Sequence, residues 1–531
     1  MTRVRVVATD GIAPEGLQPL SVDQAVELVQ LTSSANGLKE VLSEARGLLL
    51  RSATKVTEEL LQEAPELRVV GRAGVGVDNI DIEACTRRGV AVFNAPSGNT
   101  VSAAELAFAL MLASVRRVPQ ADRSLRAGEW ARSRFKGNEL RGKTLGLIGA
   151  GRIGGEVARR ARAFGMNVLV YDPFLTQARV DEMSAEAAEL EELLGRADVV
   201  TLHVPLTEST RDLLNADRLK LMQPSAPLVN TSGGGVVDEE ALAEALHAGE
   251  LAGAALDVYS VEPLDRESTL RDAPNLILTP HLGASTAEAQ ERVAVEVARS
   301  VRRALLDGDL AGALNAPSIG GSALADLAPL LDLGRRLGQI GVVLAPGAVR
   351  SVAIGYSGAS RDALGVLPRH VLMGLLTPVL GRTQVNVVNA GVLAEGRGIA
   401  VSSGRHTRRD APGERVLVKL DTSAGELTLD GGLLGAHHPR ILGLDGYDVN
   451  LAPQGTLLIL RNRDVPGVIG RVGTLLGEAG LNIAEYHQAR RSEGGDALAA
   501  VVLDGAVPTE VLGRIRDLSE VTDARVVRVE E

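Results

Sequence analysis

The feature that most constrains this chain is a glycine triplet set between a strand pattern and a helix pattern. An apolar run at 145–148 leads straight into Gly149, Gly151 and Gly154, spaced Gly-x-Gly-x-x-Gly. A helical pattern, GGEVARRARAFG, follows, and then a second apolar run, NVLVYD, that closes at Asp172. Strand, glycine turn, helix, strand and terminal acid together define a parallel β-α-β unit built to hold a dinucleotide. Gly149 permits the tight turn. Gly151 lets backbone amides approach a diphosphate at the helix N-terminus, where Arg152 adds charge. The Asp172 carboxylate can accept a hydrogen bond from a ribose 2′-hydroxyl but repels a 2′-phosphate, so the motif favours NAD over NADP. A ligand-free glycine turn would share the glycines, but not the flanking strands, helix and acid.

The same alternation fills the first half of the chain. Val4–Ala8 and Gly47–Leu50 read as buried strands, 67–71 as a third, 58–63 as a helix, and 21–29 as a helix or edge-strand unit. Such alternation predicts a parallel sheet covered on both faces. A long helical pattern, VSAAELAFALMLASVRRV, starts at Val101 behind Asn99 or Thr100 as cap. After a basic linker, a second alternating series runs from Thr144 to Pro280, followed by another long helical pattern at 285–306. Long helices bracketing a complete series indicate a first domain that the chain leaves and re-enters. The expected class is α/β: two Rossmann-like doubly wound domains, the first split into 1–98 and 284–317 around a dinucleotide-binding domain at 99–283. A glycine-rich α+β segment with short strands follows at 318–453. The order β-α-β-β-α-β over 454–531 is ferredoxin-like, a unit that often pairs with a copy of itself.

Composition narrows the function classes. Aromatics are only 2% of the 531 residues while 45% are hydrophobic, so the cores rest on Ala, Val, Leu and Ile. A net charge of −11 argues against a nucleic-acid partner. The lone cysteine, Cys85, cannot form an internal disulfide and fits a reducing compartment. The most apolar helical stretch, 106–115, is shorter than the ~20 residues that span a bilayer. The N-terminal MTRVRVVATDGIAPEGL lacks the apolar run of a secretory leader. These features predict a cytoplasmic protein without a membrane partner. The histidines lack metal-ligand spacing, so no metal site is expected.

Chemistry gathers late in the second series. GAALDVYSVEP carries Asp257 and then Glu262, and LILTPHLGAST ends its strand at His281. Open parallel sheets bind ligands at the carboxyl ends of their strands, where Glu262 and His281 both fall. Hydride transfer from a carbinol needs a base for the hydroxyl proton, and a histidine beside a carboxylate supplies one. His281 is therefore assigned as general acid–base with Glu262 as its partner. A solvated histidine and a surface glutamate would satisfy the spacing equally.

Several stretches resemble the D-isomer-specific 2-hydroxyacid dehydrogenases: RAGVGVDNIDIEACTRRGVAVFNAPSGNTVSAAELAFALML, GKTLGLIGAGRIGGEVARRARAFGMNVLVYDP, VTLHVPLTESTRDLLN, ALDVYSVEP and TPHLGAST. Within that family the chain is most similar to the long branch that carries an intervening domain and an ACT regulatory domain, the latter through RNRDVPGVIGRVGTLLGEAGLNIAEYH. The resemblance implies NAD-dependent oxidation of 3-phosphoglycerate to 3-phosphohydroxypyruvate, opening serine synthesis, by a homo-oligomer, often a tetramer. It implies NAD contacts at Val75, Arg152, Ile153, Asp172, Val204, Thr231, Asp257, Gly283 and Ala284, and agrees with His281 and Glu262. It aligns Asp464 and Asn482 with residues that bind serine as an effector, and Asn462 with a position that is aromatic in some relatives. The substrate's phosphate and carboxylate require cations, for which Arg51, Lys55, Arg72, Arg132 and Arg134 are the candidates. His437, His438 and Arg440 form a further basic cluster that could hold an anion.

One position departs from the family. The loop that resembles Ala-Arg-Gly-Gly reads Ser232-Gly233-Gly234-Gly235 here, so Gly233 stands where the family's substrate-binding arginine stands. Two other functions stay open on this account: a weakened sensor subunit that binds NAD and an amino acid, and a glyoxylate or hydroxypyruvate reductase. The long C-terminal extension speaks for feedback control and against the reductase.

Overall fold

The computed structural model describes residues 3–31, 37–317, 319, 321–406, 413–435 and 437–529. The first lobe is a parallel sheet in the spatial order Val26–Gln30, Val4–Ala8, Gly47–Leu50, Val69–Arg72, Ala91–Phe93. Its strands Gly47–Leu50 and Ala91–Phe93 are short apolar runs buried throughout, as crossover helices require. The 21–29 unit resolves into a short helix, Gln18–Ser21, and the edge strand Val26–Gln30.

The second lobe is a seven-stranded parallel sheet: Leu276–Leu278, Gly253–Leu256, Pro227–Asn230, Val199–Leu202, Thr144–Ile148, Asn167–Tyr171, Glu186–Ala187. Its strand order reverses between Thr144–Ile148 and Val199–Leu202, and that switch opens a crevice at the carboxyl ends. The helix Thr100–Arg116 buries Ala104, Ala107 and Met111 in this second core. The helix Ala287–Asp307 returns to the first, where Val293, Val297 and Val301 pack beneath Val69 and Phe93. The returning chain is stitched in by Asn315, whose Oδ1 accepts from Val92 N–H at 2.9 Å while its Nδ2 donates to Val90 O, also at 2.9 Å. Two connections thus join the lobes. They are braced by Ser97 Oγ donating to Glu296 at 2.8 Å, Arg292 Nε donating to Gly98 O at 3.1 Å, and the 2.7 Å contact of the Ser102 and Thr286 hydroxyls.

The third unit differs from its sequence-based picture of short strands. Two long helices, Gly321–Leu344 and Ala363–Leu380, pack against each other and over a six-stranded mixed sheet. Glycines permit their close approach: a Cβ on Gly338 would lie 2.0 Å from Val371 O, and one on Gly374 would lie 1.7 Å from Arg335 O. Ala363–Leu380, not 106–115, is the most membrane-like helix, since its length and apolar composition suffice to cross a bilayer. Here its Leu367, Val371 and Leu375 are buried in the core of this unit, and Arg369 and His370 interrupt its apolar surface. Asn386 ties the unit to the first lobe by donating to Gly89 O at 2.8 Å.

The last unit is an antiparallel sheet in the order Ile483–Arg490, Asp496–Leu503, Gly455–Arg463, Val521–Val529, with helices Val468–Glu478 and Thr509–Arg516. Leu458, Leu460, Val472, Leu476 and Ile515 close its own core.

Candidate active site

The glycine loop is formed as its spacing demands. Gly149 has φ 102°, and a Cβ there would fall 2.4 Å from His203 O; one on Gly154 would fall 2.1 Å from Gly149 O. Gly151 instead opens onto free space, with nothing within 4 Å of where its Cβ would stand. The turn is thus packed tight on the protein side and left open on the ligand side. The helix Arg152–Ala163 begins there, and its first amides carry no partner inside the helix. Asp172 closes Asn167–Tyr171; its Oδ2 accepts from Ala150 N–H at 2.9 Å and its Oδ1 from Phe174 N–H at 2.8 Å. From the other side Arg179 donates to Ala150 O and Gly151 O, each at 3.0 Å, so the Ala150 peptide is gripped at both ends. Nothing in the local pattern marks Arg179, whose grip on the loop is a tertiary contact.

Other aligned cofactor positions lie beside the glycine loop, at the ends of neighbouring strands or on the first lobe. Val204 lies against Gly149, Ile153 is half-buried in the first helical turn, and Arg152 Nη1 donates to Pro96 O across the lobe connection at 3.0 Å. Thr231 is buried with its hydroxyl unpartnered, a polar group waiting for a ligand. Val75 is exposed on the first lobe. These residues fit a dinucleotide: an open glycine cradle, an acid at the ribose end and an orphan hydroxyl between.

Under the loop, His203 is half-buried, with its Nδ1 enclosed and without a partner; its Nε2 meets Thr201 Oγ1 at 3.0 Å. Burial pushes its pKa from 6.5 down to about 3. Below pH 6.5 the unfolded chain gains a proton that the folded chain refuses, so stability is intact above that pH and falls as pH drops toward about 3. At pH 5 the loss is about 2 kcal/mol at ~1.36 kcal/mol per unit. Calorimetric unfolding at pH 7 and pH 5 should show that penalty in the wild type and not in His203→Asn; equal pH dependence would rule out His203 as its source.

His281 and Glu262 meet: Nδ1 stands 2.7 Å from Oε2. Glu262 is fixed by Tyr259, whose N–H donates to Oε1 at 3.0 Å. The Tyr259 hydroxyl donates to Thr279 O at 2.8 Å, and burial chiefly pushes its pKa up to about 12, so it stays a donor. His281 has φ 54°, a left-handed conformation uncommon outside glycine. The preceding loop holds it there through Asp257, which is wholly buried just past the strand Gly253–Leu256. Its Oδ1 accepts from Thr279 Oγ1 at 2.6 Å and Leu282 N–H at 2.8 Å, and its Oδ2 accepts from Gly283 N–H at 2.9 Å. Ala284 follows at the helix approach, half-buried.

The pair lines a cleft of about 750 Å³ that Ser52 of the first lobe also lines. Ser52 follows Arg51 on a loop whose organisers the sequence did not reveal. Asp10 accepts from Arg51 N–H at 2.8 Å, Thr54 N–H at 3.0 Å and Thr54 Oγ1 at 2.6 Å. Asn79 donates to Arg51 O at 2.8 Å and Thr54 O at 2.6 Å, and its Oδ1 accepts from Arg72 Nε at 3.0 Å. Burial lowers the pKa of Arg72; the Arg51 cation lowers it further, and Asp78 opposes. Two cations thus stand close together at the strand ends, with Lys55 exposed beside them.

Other expected residues are not brought to this cleft. Arg132 and Arg134 are exposed, and Arg134 pairs with Glu129 at 2.9 Å. Arg440 is neutralised by Glu485 at 3.1 Å, so the basic cluster with His437 and His438 is no free anion site. In the last unit Asn462 is buried at one sheet end with its Oδ1 unpartnered, and Asp464 pairs with Arg490 at 2.9 Å. Asn482 precedes the opposite end, where its Nδ2 donates to Asp504 at 2.5 Å. The intervening strand length, about 23 Å at ~3.3 Å per residue, separates them within one chain.

Comparison with known proteins agrees with this geometry. Residues 108–283 match the D-isomer specific 2-hydroxyacid dehydrogenase NAD binding domain, 326–445 the D-3-phosphoglycerate dehydrogenase intervening domain, and 456–520 the ACT domain. Among solved structures, a D-lactate dehydrogenase from Aquifex aeolicus in complex with NAD and lactic acid is 32% identical at a TM-score of 0.50, covering 57% of this chain and 96% of that one. An NAD-dependent formate dehydrogenase from Staphylococcus aureus in complex with NAD is 30% identical at 0.50, covering 57% and 96%. The two lobes therefore define an NAD-dependent dehydrogenase of the D-2-hydroxyacid class.

Full-length relatives narrow this further. D-3-phosphoglycerate dehydrogenase of Methanocaldococcus jannaschii is 40% identical over 529 residues, 99% of this chain and 100% of the relative. That of Bacillus subtilis is 38% identical over 524 residues, covering 98% and 99%. The chain belongs to the D-3-phosphoglycerate dehydrogenase family.

Proposed function

We propose that this chain oxidises 3-phosphoglycerate to 3-phosphohydroxypyruvate with NAD, the first step of serine synthesis. The observation that carries the reading is the 2.7 Å contact of His281 Nδ1 with Glu262, in a cleft that the Arg51–Ser52 loop also borders. An ionised carboxylate only accepts, so the imidazole proton sits on Nδ1 and Nε2 is bare. Nε2 takes the C2 hydroxyl proton, and Glu262 stabilises the imidazolium that forms. NAD, when bound, accepts the hydride from C2. Asp257 and Tyr259 keep the pair in register, while Arg51, Lys55 and Arg72 attract the substrate's anionic groups.

The domain division that fits this role is a substrate domain at 1–98 and 284–317, an NAD domain at 99–283, an intervening domain at 318–453 and an ACT domain at 454–531. Serine acts as a feedback effector in this reading. Asn482 lies at the other sheet end from Asn462 and Asp464, so one serine can reach both ends only across two copies laid antiparallel, which favours a homo-oligomer. The buried Cys85, its thiol pushed up to about 12 mainly by burial, fits a cytoplasmic protein. Gly233 favours one second reading, the weakened sensor.

One assay series tests the proposal. Purified protein should reduce NAD in the presence of 3-phosphoglycerate, with NADP much poorer, and added serine should slow it. Asp172→Ala should narrow the gap between NAD and NADP by at least about tenfold through loss of the ribose contact. Absence of turnover, or an unchanged cofactor preference in the variant, would refute the respective part.

A further inference from the structure

The cleft that holds His281 and Glu262 carries a cation that the proposed mechanism leaves unused. Arg271 ends the short turn Thr269–Arg271 and lines the same cavity as Glu262, His281 and Ser52. Its guanidinium is anchored by neutral groups: Nε donates to Asp265 O at 2.7 Å and Nη2 to Leu264 O at 2.9 Å. Among the described residues no carboxylate pairs with it. Other arginines of this acidic chain are neutralised by carboxylates, as Arg134 by Glu129, Arg218 by Glu191 and Arg302 by Asp23. A fixed, exposed and unneutralised guanidinium at the edge of a cleft is preorganised for an anion, and its planar fork suits a phosphate.

The opposite wall offers the complement. Ser52 sits on the loop between Arg51 and Lys55, which Asp10 and Asn79 hold rigid. In 3-phosphoglycerate the phosphate and carboxylate flank the reacting carbon. With that carbon at His281 Nε2, the phosphate extends along the cleft between these walls.

We propose that Arg271 is the second lobe's half of a two-sided phosphate clamp, whose other half is the Arg51–Lys55 loop of the first lobe. The inference rests on 3-phosphoglycerate being the substrate. It adds that selection for a phosphorylated 2-hydroxy acid depends on a residue of the NAD-binding lobe.

Steady-state kinetics of the full chain would test this with 3-phosphoglycerate and with unphosphorylated D-glycerate, for wild type, Arg271→Met and Arg271→Lys. A charged hydrogen bond of this kind corresponds to roughly 10–100-fold in affinity. Arg271→Met should therefore raise KM for 3-phosphoglycerate by that factor, leave kcat within about threefold, and leave kcat/KM for D-glycerate within about twofold. Arg271→Lys should recover part of the loss, since it keeps the charge without the fork. Equal losses on both substrates, or an unmoved KM, would overturn the clamp. Failure of the wild type itself to oxidise 3-phosphoglycerate would instead overturn the functional reading on which it rests.

Discussion

Replacing His281 with alanine should lower kcat by about 10²–10⁴-fold while NAD still binds, as removal of a positioned general base does. The dinucleotide cradle is built from Gly149, Gly151, Asp172 and Arg179, none of which His281 touches, so protein fluorescence or calorimetry should report near wild-type NAD affinity. Glu262→Gln should cost less. The amide can still meet Nδ1 but supplies no negative charge for the imidazolium, and it can present the wrong atom to the ring. An intact rate in His281→Ala would place the base elsewhere. An equal loss of rate and of NAD affinity would mean that the substitution had disturbed the loop, not the chemistry.

The second large effect runs upward. Gly233→Arg should raise kcat/KM by about 10²-fold, the scale on which a charged donor aimed at the transition state acts. Of the three consecutive glycines, Gly233 alone admits a side chain without penalty. Its Cβ would meet Leu206 N, Leu206 Cβ and Val236 Cγ2 at 3.5–3.6 Å, ordinary contact distances. A Cβ on Gly234 would strike Tyr259 O at 1.8 Å, and Gly235 has φ 78°. Assays of Gly233→Arg beside the wild type decide the matter. No gain would mean that another guanidinium already serves the substrate carboxylate. Arg211 stands beside the loop, with its Nη1 3.7 Å from where a Gly235 Cβ would stand.

What could be read from residues alone follows from how locally each feature is encoded. The glycine loop, Asp172, and the strand-end residues Glu262 and His281 are set by neighbours in sequence, and the periodicity around them marked their place. The helices Gly321–Leu344 and Ala363–Leu380 were hidden because Pro329, Pro368 and Pro378 interrupt them and glycines dilute their pattern. Those glycines make sense only once Val371 O and Arg335 O are seen pressing against them. Asp10, Asn79 and Arg179 escaped notice because each works through carbonyls or amides on another turn of the fold. Asn482 and Asp464 show what matching along the chain leaves out. Matching positions along the chain grouped them, while the register of the sheet sends them to opposite ends.

The double crossing between the lobes restricts how the enzyme can breathe. A lobe held by one tether could swivel freely. One held by two connections, at Pro96–Gly98 and again near Thr286, can only swing about the line joining them, like a door on paired pins. Any swing about that line would bring the Arg51 loop back to the same spot opposite the imidazole, so alignment would be restored by mechanics and need not be searched for afresh.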